Sequence, residues 1–398
     1  MVNISERAKR VKPSATLAVD SKAKALKAQG LDIINFGVGE PDFDTPDFIK
    51  EAAIKAIKEG FTKYTPVGGT DELKSAIIEK FEVDNNLHYK PENIIVSCGA
   101  KHSLYNISQA ILSPGDEVII PAPYWVSYPD QTLLNDAVPV IVPTYEEDKF
   151  VLKAEQIESV ITTKTRALIL NYPSNPTGFT YDKKSLEKIA ELAVKHNFYI
   201  ISDEVYEMFL YDGHSHISIA SLGKEIMGRT IVVNALSKSH AMTGWRIGYA
   251  GGPAEVIKAM TSIQSQSTSN PTSIAQKAAV AALKGPKDFT IKMVKEFETR
   301  RNLLIDGLNS INGIRCILPV GAFYAFPNVS ALYGKKKGSR AINSSFDFAM
   351  YMLEDANVAL VHGEAFGNDN HIRVSYAISK ENIQTALSRI QKVVSELV

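Results

Sequence analysis

Between Pro91 and Ala250 the chain alternates short apolar, largely β-branched runs with stretches of helical spacing. Strands are predicted at Ile94–Ser97, Glu117–Pro121, Val138–Val142, Ala167–Asn171, Tyr199–Asp203, Thr230–Asn234 and Ile247–Ala250. These runs are continuously apolar rather than alternating, which is the pattern of strands covered on both faces. The stretch Ser185–His196, with Leu186, Ile189, Leu192 and Ala193 on one face, shows what would cover them. The order predicts an α/β fold built on a large, mostly parallel seven-stranded sheet. From about Asn302 the texture changes. Two strand-like segments, Val358–Val361 and Ile372–Tyr376, sit among long helices that end in Glu381–Val398. A smaller α+β domain is expected there, tied to the first by a helix near Phe289–Leu308. The predicted division is an N-terminal segment at 1–45 that joins the small domain, a large domain at 46–300 and a small C-terminal domain at 301–398.

Lys plus Arg number 44 and Asp plus Glu 44, so the net charge is 44 − 44 = 0. A chain that coats nucleic acid or an anionic membrane would show a basic surplus, so neither partner is expected. Cys98 and Cys316 form no CxxC pair and are too few for a disulfide scaffold, which points to a reducing compartment. The first residues hold no apolar signal-peptide core, and no run approaches the roughly 18 apolar residues of a membrane span. A cytoplasmic protein is expected. Lys335-Lys336-Lys337, between Gly334 and Gly338, reads as a solvated loop. His214-Ser215-His216 lacks a spaced third ligand, so no metal is expected.

Familiar cofactor motifs are missing: no GxGxxG follows a strand, and no GxxxxGK[ST] or GxSxG occurs. Polar residues instead follow the strands, where ligands of open α/β sheets bind. Asn175 comes after Ala167–Asn171, and Asp203 ends Tyr199–Asp203. Ser237 and Lys238 follow Thr230–Asn234, with Arg246 eight residues beyond Lys238. Gly99-Ala100-Lys101 follow Ile94–Ser97 and open a helix, a ready cradle for phosphate. Each has a plain structural alternative: a cap for Asp203, an ion pair for Arg246, a surface position for Lys238. Their joint occurrence in this order argues for a site.

The run Ser237–Gly248, SKSHAMTGWRIG, resembles the cofactor-lysine signature of class I aminotransferases. NYPSNPTG at Asn171–Gly178, SDEVY at Ser202–Tyr206, FGVGEPDFDT at Phe36–Thr45, YTPVGG at Tyr64–Gly69, YWVSYP at Tyr124–Pro129 and RVSYA at Arg373–Ala377 resemble further blocks of that family. The similarity covers nearly the whole chain and is greatest to the bacterial and plastid aspartate aminotransferase subgroup, some members of which also use prephenate.

The resemblance implies the fold type I of pyridoxal 5′-phosphate enzymes, a homodimer with shared active sites, and amino-acid and keto-acid substrates. It implies that Lys238 carries the cofactor and moves the proton, that Asp203 faces the pyridine nitrogen, and that Tyr206 and Asn175 hydrogen-bond the ring oxygen. Trp125 would stack on the ring, and Gly99, Ala100, Lys101, Ser237 and Arg246 would hold the phosphate. Ala235 stands where some members place another phosphate-binding hydroxyl. Tyr64 would reach the phosphate of the neighbouring subunit. Arg373 would clamp the substrate α-carboxylate beside Gly39, while Thr243-Gly244 would serve loop geometry. Lys12, Thr16 and Lys101 match positions linked to acidic substrates, although Lys12 also reads as a solvated lysine. The expected activity is transfer of the amino group from L-aspartate to 2-oxoglutarate by a ping-pong cycle, with prephenate a further candidate. Alternatives are an aromatic- or alanine-type aminotransferase, a lyase using the same cofactor, or a non-catalytic cofactor-binding regulator. The last would carry a DNA-binding domain, for which the motif at Phe36 leaves no room.

Overall fold

The computed structural model describes residues 3–11, 13 and 15–398. Its centre is a seven-stranded sheet, whose strands lie side by side in the order Ile94–Ser97, Gly248–Gly251, Thr230–Ala235, Tyr199–Asp203, Thr165–Asn171, Glu117–Ala122, Val138–Pro143. Every pairing is parallel except those of Gly248–Gly251, which runs antiparallel to both neighbours. Successive residues of one strand enter different cores. Ile231 and Val233 pack in the cluster with Ile95 and Ile107, whereas Val232 joins the cluster of Ile94 and Val96. Leu168 and Leu170 likewise face away from Ala167 and Ile169. Period-two alternation between two buried faces is why these strands read as unbroken apolar runs.

The covering helices begin and end where local chemistry dictates. In Lys183–His196 the Asp182 carboxylate accepts from the Ser185 amide at 2.7 Å, and Asn197 closes the helix at φ 56°. An Asp cap satisfies one of the orphan amides of the first turn, and an Asn tolerates the left-handed cap. Leu186, Ile189, Leu192 and Ala193 are buried against the sheet. Helix Asp288–Asn309 runs on into a separate core, where Phe297, Leu304 and Leu308 pack with Tyr324, Val358, Val374 and Ile390.

Small strands complete that second core. Tyr324–Ala325, Ile372–Ser375 and Val361–His362 form an antiparallel set, while Ile34–Asn35 pairs in parallel with Val358–Ala359. The predicted strand Val358–Val361 is therefore two short strands with different partners. Leu360 lies between them, so the chain leaves one ladder and enters the other within four residues. The lysine run also departs from expectation. Lys336–Lys337 pairs with Arg340–Ala341 as a hairpin, and Lys337 bridges Asp355 and Glu396. Acidic partners distant in sequence hold this basic run in an ordered ribbon.

Among the described residues no helix is long and apolar enough to cross a membrane. Glu204, Glu207 and His216 come together within 4.8 Å, so folding supplies neighbours that the sequence spacing around His216 did not reveal. Lys80 pairs with Glu207 and the His216 ring with Glu204, so hydrogen bonds and a lysine already answer these buried carboxylates.

Candidate active site

A cavity of about 370 Å³ lies beyond the carboxyl ends of the central strands. Asp203, the last residue of its strand, faces this cavity and is only 4% exposed. Its carboxylate accepts from the Tyr128 hydroxyl at 2.8 Å. Burial pushes the Asp203 carboxyl up to about 6, against the lowering effect of the Tyr128 hydrogen bond. Tyr128 lies in the run resembling a family block, but nothing in the spacing tied it to Asp203, 75 residues away.

That shift has a consequence for stability. A carboxyl whose pKa rises on folding stabilises the fold below the ordinary carboxylate range, and that contribution is lost as pH rises through about 6. The cofactor-free Asp203→Asn protein is therefore expected to be more stable than its parent at pH 8, by roughly 3 kcal/mol for about two pKa units. The difference should vanish near pH 4. Denaturant melts of both cofactor-free proteins at the two pH values check this, and a gap independent of pH would refute it.

Lys238 sits in the short helix Leu236–Ser239 that follows strand Thr230–Ala235. Its amine donates to the Gly39 carbonyl, and burial lowers its pKa to about 8. An amine at that value supplies free base near neutral pH, which an ordinary lysine does not.

Arg246 stands at φ 54°, a left-handed position that non-glycine residues rarely take. The turn aims its guanidinium at Gly99. Nη1 donates to the Thr243 carbonyl at 2.8 Å and Nη2 to the Cys98 carbonyl at 3.3 Å. Gly99, at φ 90°, leaves the space for it, because a Cβ there would meet Arg246 Nη2 at 2.1 Å. Gly248 serves the same wall, since a Cβ would meet the Ala100 amide nitrogen at 2.2 Å. Helix Ala100–Ile111 thus points its N-terminus at the cavity beside a guanidinium and Ser237, a donor set suited to an anion. Gly99 shapes this wall from behind, while Ala100 and Lys101 line it. Lys101 places its ammonium 4.8 Å from the Trp125 ring.

Arg373, which also lines the cavity, is 2% exposed, and its hydrogen-bond partners among the described residues include no carboxylate. Nη1 donates to Asn175 Oδ1 at 3.1 Å and Nη2 to the Gly37 carbonyl at 2.7 Å. The guanidinium lies 4.7 Å from the Tyr324 ring centroid, and its Nε is buried without a partner. Asn175 is itself held by the Asn171 carbonyl oxygen of the side chain, which accepts from the Asn175 amide at 2.8 Å.

Of the residues expected from sequence, Thr16, Gly39, Ala100, Lys101, Trp125, Asn175, Asp203, Tyr206, Ser237, Lys238, Arg246 and Arg373 all border the one cavity. Lys12 lies outside the described residues. Tyr64 is 91% exposed and does not border the cavity of its own chain. Thr243, expected to serve loop geometry alone, lines the cavity and donates to Glu40 Oε2 at 2.6 Å. Glu40 and Tyr324 also line it and were not foreseen. Glu40 stood within the GEPD block that was read for its glycine, whereas Tyr324 carried no pattern at all.

Residues 31–390 match the family model for aminotransferases of class I and II. The chain is 50% identical to an aspartate aminotransferase of Bacillus sp. strain YM-2, over 98% of this chain and 99% of that one. It is 48% identical to an aspartate/prephenate aminotransferase of Nitrosomonas europaea, over 99% of this chain and 100% of that one. Its fold superposes on the crystal structure of the aspartate aminotransferase from Rhizobium meliloti with a TM-score of 0.97, at 44% identity and full coverage of both chains.

Proposed function

Because this chain belongs to the class I and II aminotransferases, we propose that it moves the amino group of L-aspartate to 2-oxoglutarate with pyridoxal 5′-phosphate, in a ping-pong cycle. The single observation that carries this reading is the convergence of Lys238, Asp203, Arg246 and Arg373 on one cavity. The residues fit the cofactor. A guanidinium, a serine and a helix N-terminus suit its phosphate dianion, and the buried Asp203 carboxylate gains from a cationic N–H placed before it. When bound, the cofactor supplies an electron sink for charge developing at the substrate α-carbon.

The chain's own groups do the rest. Lys238 would hold the cofactor, and its amine would move the proton at the substrate α-carbon as base and then acid. Asp203 would keep positive charge on the ring nitrogen, its carboxylate fixed by Tyr128. Tyr206 and Asn175 would offer hydrogen bonds to the ring oxygen, and Trp125 would pack against the ring. Arg373 receives the α-carboxylate in a planar fork beside Gly39. Lys101 and Thr16 border the space for the distal carboxylate, and Lys12 belongs to the same assignment.

The active form is a homodimer in which Tyr64 serves the neighbouring site, which its exposure away from its own cavity supports. The same reading divides the chain at 1–45, 46–300 and 301–398, a division supported by the pairing of Ile34–Asn35 with Val358–Ala359. Cytoplasmic residence accords with two unpaired cysteines. Prephenate as a second amino acceptor is favoured by the relative that bears that name.

The test is the absorption spectrum of the purified holoenzyme with L-aspartate and no keto acid. Conversion of the bound-cofactor band to the pyridoxamine form supports aspartate as donor. A band that ignores aspartate but responds to another amino acid discards this substrate.

A further inference from the structure

We propose that Tyr324 is a positioning residue that couples the carboxylate clamp to the cofactor-facing hydroxyl, its ring supporting Arg373 and its hydroxyl setting the proton of Tyr206. This inference rests on the proposed function. Its starting observation is a pair of buried phenols, Tyr206 and Tyr324, whose oxygens stand 2.8 Å apart across 118 residues of sequence. The rings meet edge to face, with centroids 5.7 Å apart and planes at 83°. Phe209 and Phe323 pack on Tyr206, and Phe323 also packs on Tyr324, so neither phenol can swing away without opening the core.

Each phenol has one proton, so one donates and the other accepts. The Arg373 guanidinium lies over the Tyr324 ring at 4.7 Å. A cation on the ring face draws electron density from the phenol and strengthens it as a donor. Tyr324 then donates to the Tyr206 oxygen, and the proton of Tyr206 is left to point into the cavity. The reverse arrangement would turn that proton away from the cofactor. Gly39 lies beside the Tyr324 hydroxyl, since a Cβ there would stand 3.2 Å from it. The charged or titratable groups that face the pair are Asp203 and Arg373 on Tyr206, and Arg373 and Glu40 on Tyr324. A substrate carboxylate that neutralises Arg373 weakens the donor bond of Tyr324, so occupancy of the clamp is felt at the cofactor.

The variant Tyr324→Phe keeps the ring under Arg373 and removes only the hydroxyl. In the holoenzyme loaded with pyridoxal phosphate, the pH midpoint of the bound cofactor's visible band should rise by about half a unit, since a weaker hydrogen bond from Tyr206 disfavours the deprotonated chromophore. kcat should fall several-fold with KM for aspartate held within about twofold. Tyr324→Leu should in addition raise that KM roughly tenfold, as the ring beneath the guanidinium is lost. Tyr206→Phe should shift the midpoint further, and adding Tyr324→Phe to it should then shift it no more. A midpoint unchanged in Tyr324→Phe, or fully additive in the double variant, overturns the relay. A parent protein with no pH-dependent cofactor band overturns the proposed function and the relay together.

Discussion

Replacing Lys238 by alanine is expected to lower the steady-state rate with L-aspartate and 2-oxoglutarate by about 10⁴-fold or more, the upper range for one proton-transfer group and its covalent role. The reason is positional. Lys238 follows the strand Thr230–Ala235 directly, borders the same cavity as Asp203 and Arg246, and donates to the Gly39 carbonyl of a segment 199 residues away. Burial has brought its pKa to about 8, so near that pH about half the amine is free base. Neither Lys101 nor any other cavity lysine follows that strand. The anion wall of Arg246, Ser237 and the Ala100 helix is untouched by the substitution, so the cofactor should stay bound without a covalent link. Turnover and cofactor absorbance after gel filtration are the two measurements. Activity within tenfold of the parent would remove Lys238 from the chemistry, and loss of all bound cofactor would show that the anion wall alone does not hold it.

The second large effect is expected at Arg373. A guanidinium 2% exposed, without a carboxylate partner among the described residues, carries an uncompensated cost of burial. Asn175 Oδ1 and the Gly37 carbonyl accept from it but bring no charge. An incoming carboxylate supplies that charge through paired N–H donors. Arg373→Ala should reduce kcat/KM for aspartate by roughly 10²–10³-fold, the scale of losing one partner of a buried, hydrogen-bonded charge pair. Arg373→Lys should recover less than about tenfold of this, because an ammonium cannot reproduce the planar fork. Melting curves on both variants separate a lost clamp from a lost fold. A kcat/KM that survives in a folded Arg373→Ala protein would move the carboxylate elsewhere, Lys101 being another cation that lines the cavity.

Much of this architecture was open to reading residue by residue. All seven strands of the main sheet and the helices Lys183–His196 and Asp288–Asn309 fall within two residues of where periodicity put them. Those signals are local: strands buried on two faces need unbroken apolar runs, and Asp182 and Asn197 mark the ends of their helix within the sequence itself. The glycine before Ala100 also fitted a phosphate cradle, because close approach of the Arg246 guanidinium leaves no room for a Cβ there. Lys238, Asp203, Asn175 and Arg246 stood out because strand ends in a parallel sheet open on a common edge, whereas Arg373 was marked only by the resemblance of RVSYA to a family block.

What the sequence could not specify is which distant residues meet. Tyr128 against Asp203, Tyr324 between Tyr206 and Arg373, and Thr243 on Glu40 are contacts across 75, 118 and 203 residues. No local period encodes such pairings. The Tyr206–Tyr324 contact follows from the packing of the second core, where Tyr206 and Phe209 join Phe297 and Phe323 in one cluster, whereas Tyr128 belongs to the core of the main sheet with Ile169 and Ile201. The split of Val358–His362 between two ladders, and the ribbon at Lys336–Ala341, were hidden for the same reason. Local sequence thus determined the elements and the residue types able to do the chemistry. Burial, set by tertiary packing alone, decided that Lys238 would lose basicity, that Asp203 would hold its proton more tightly, and that Arg373 would await a carboxylate.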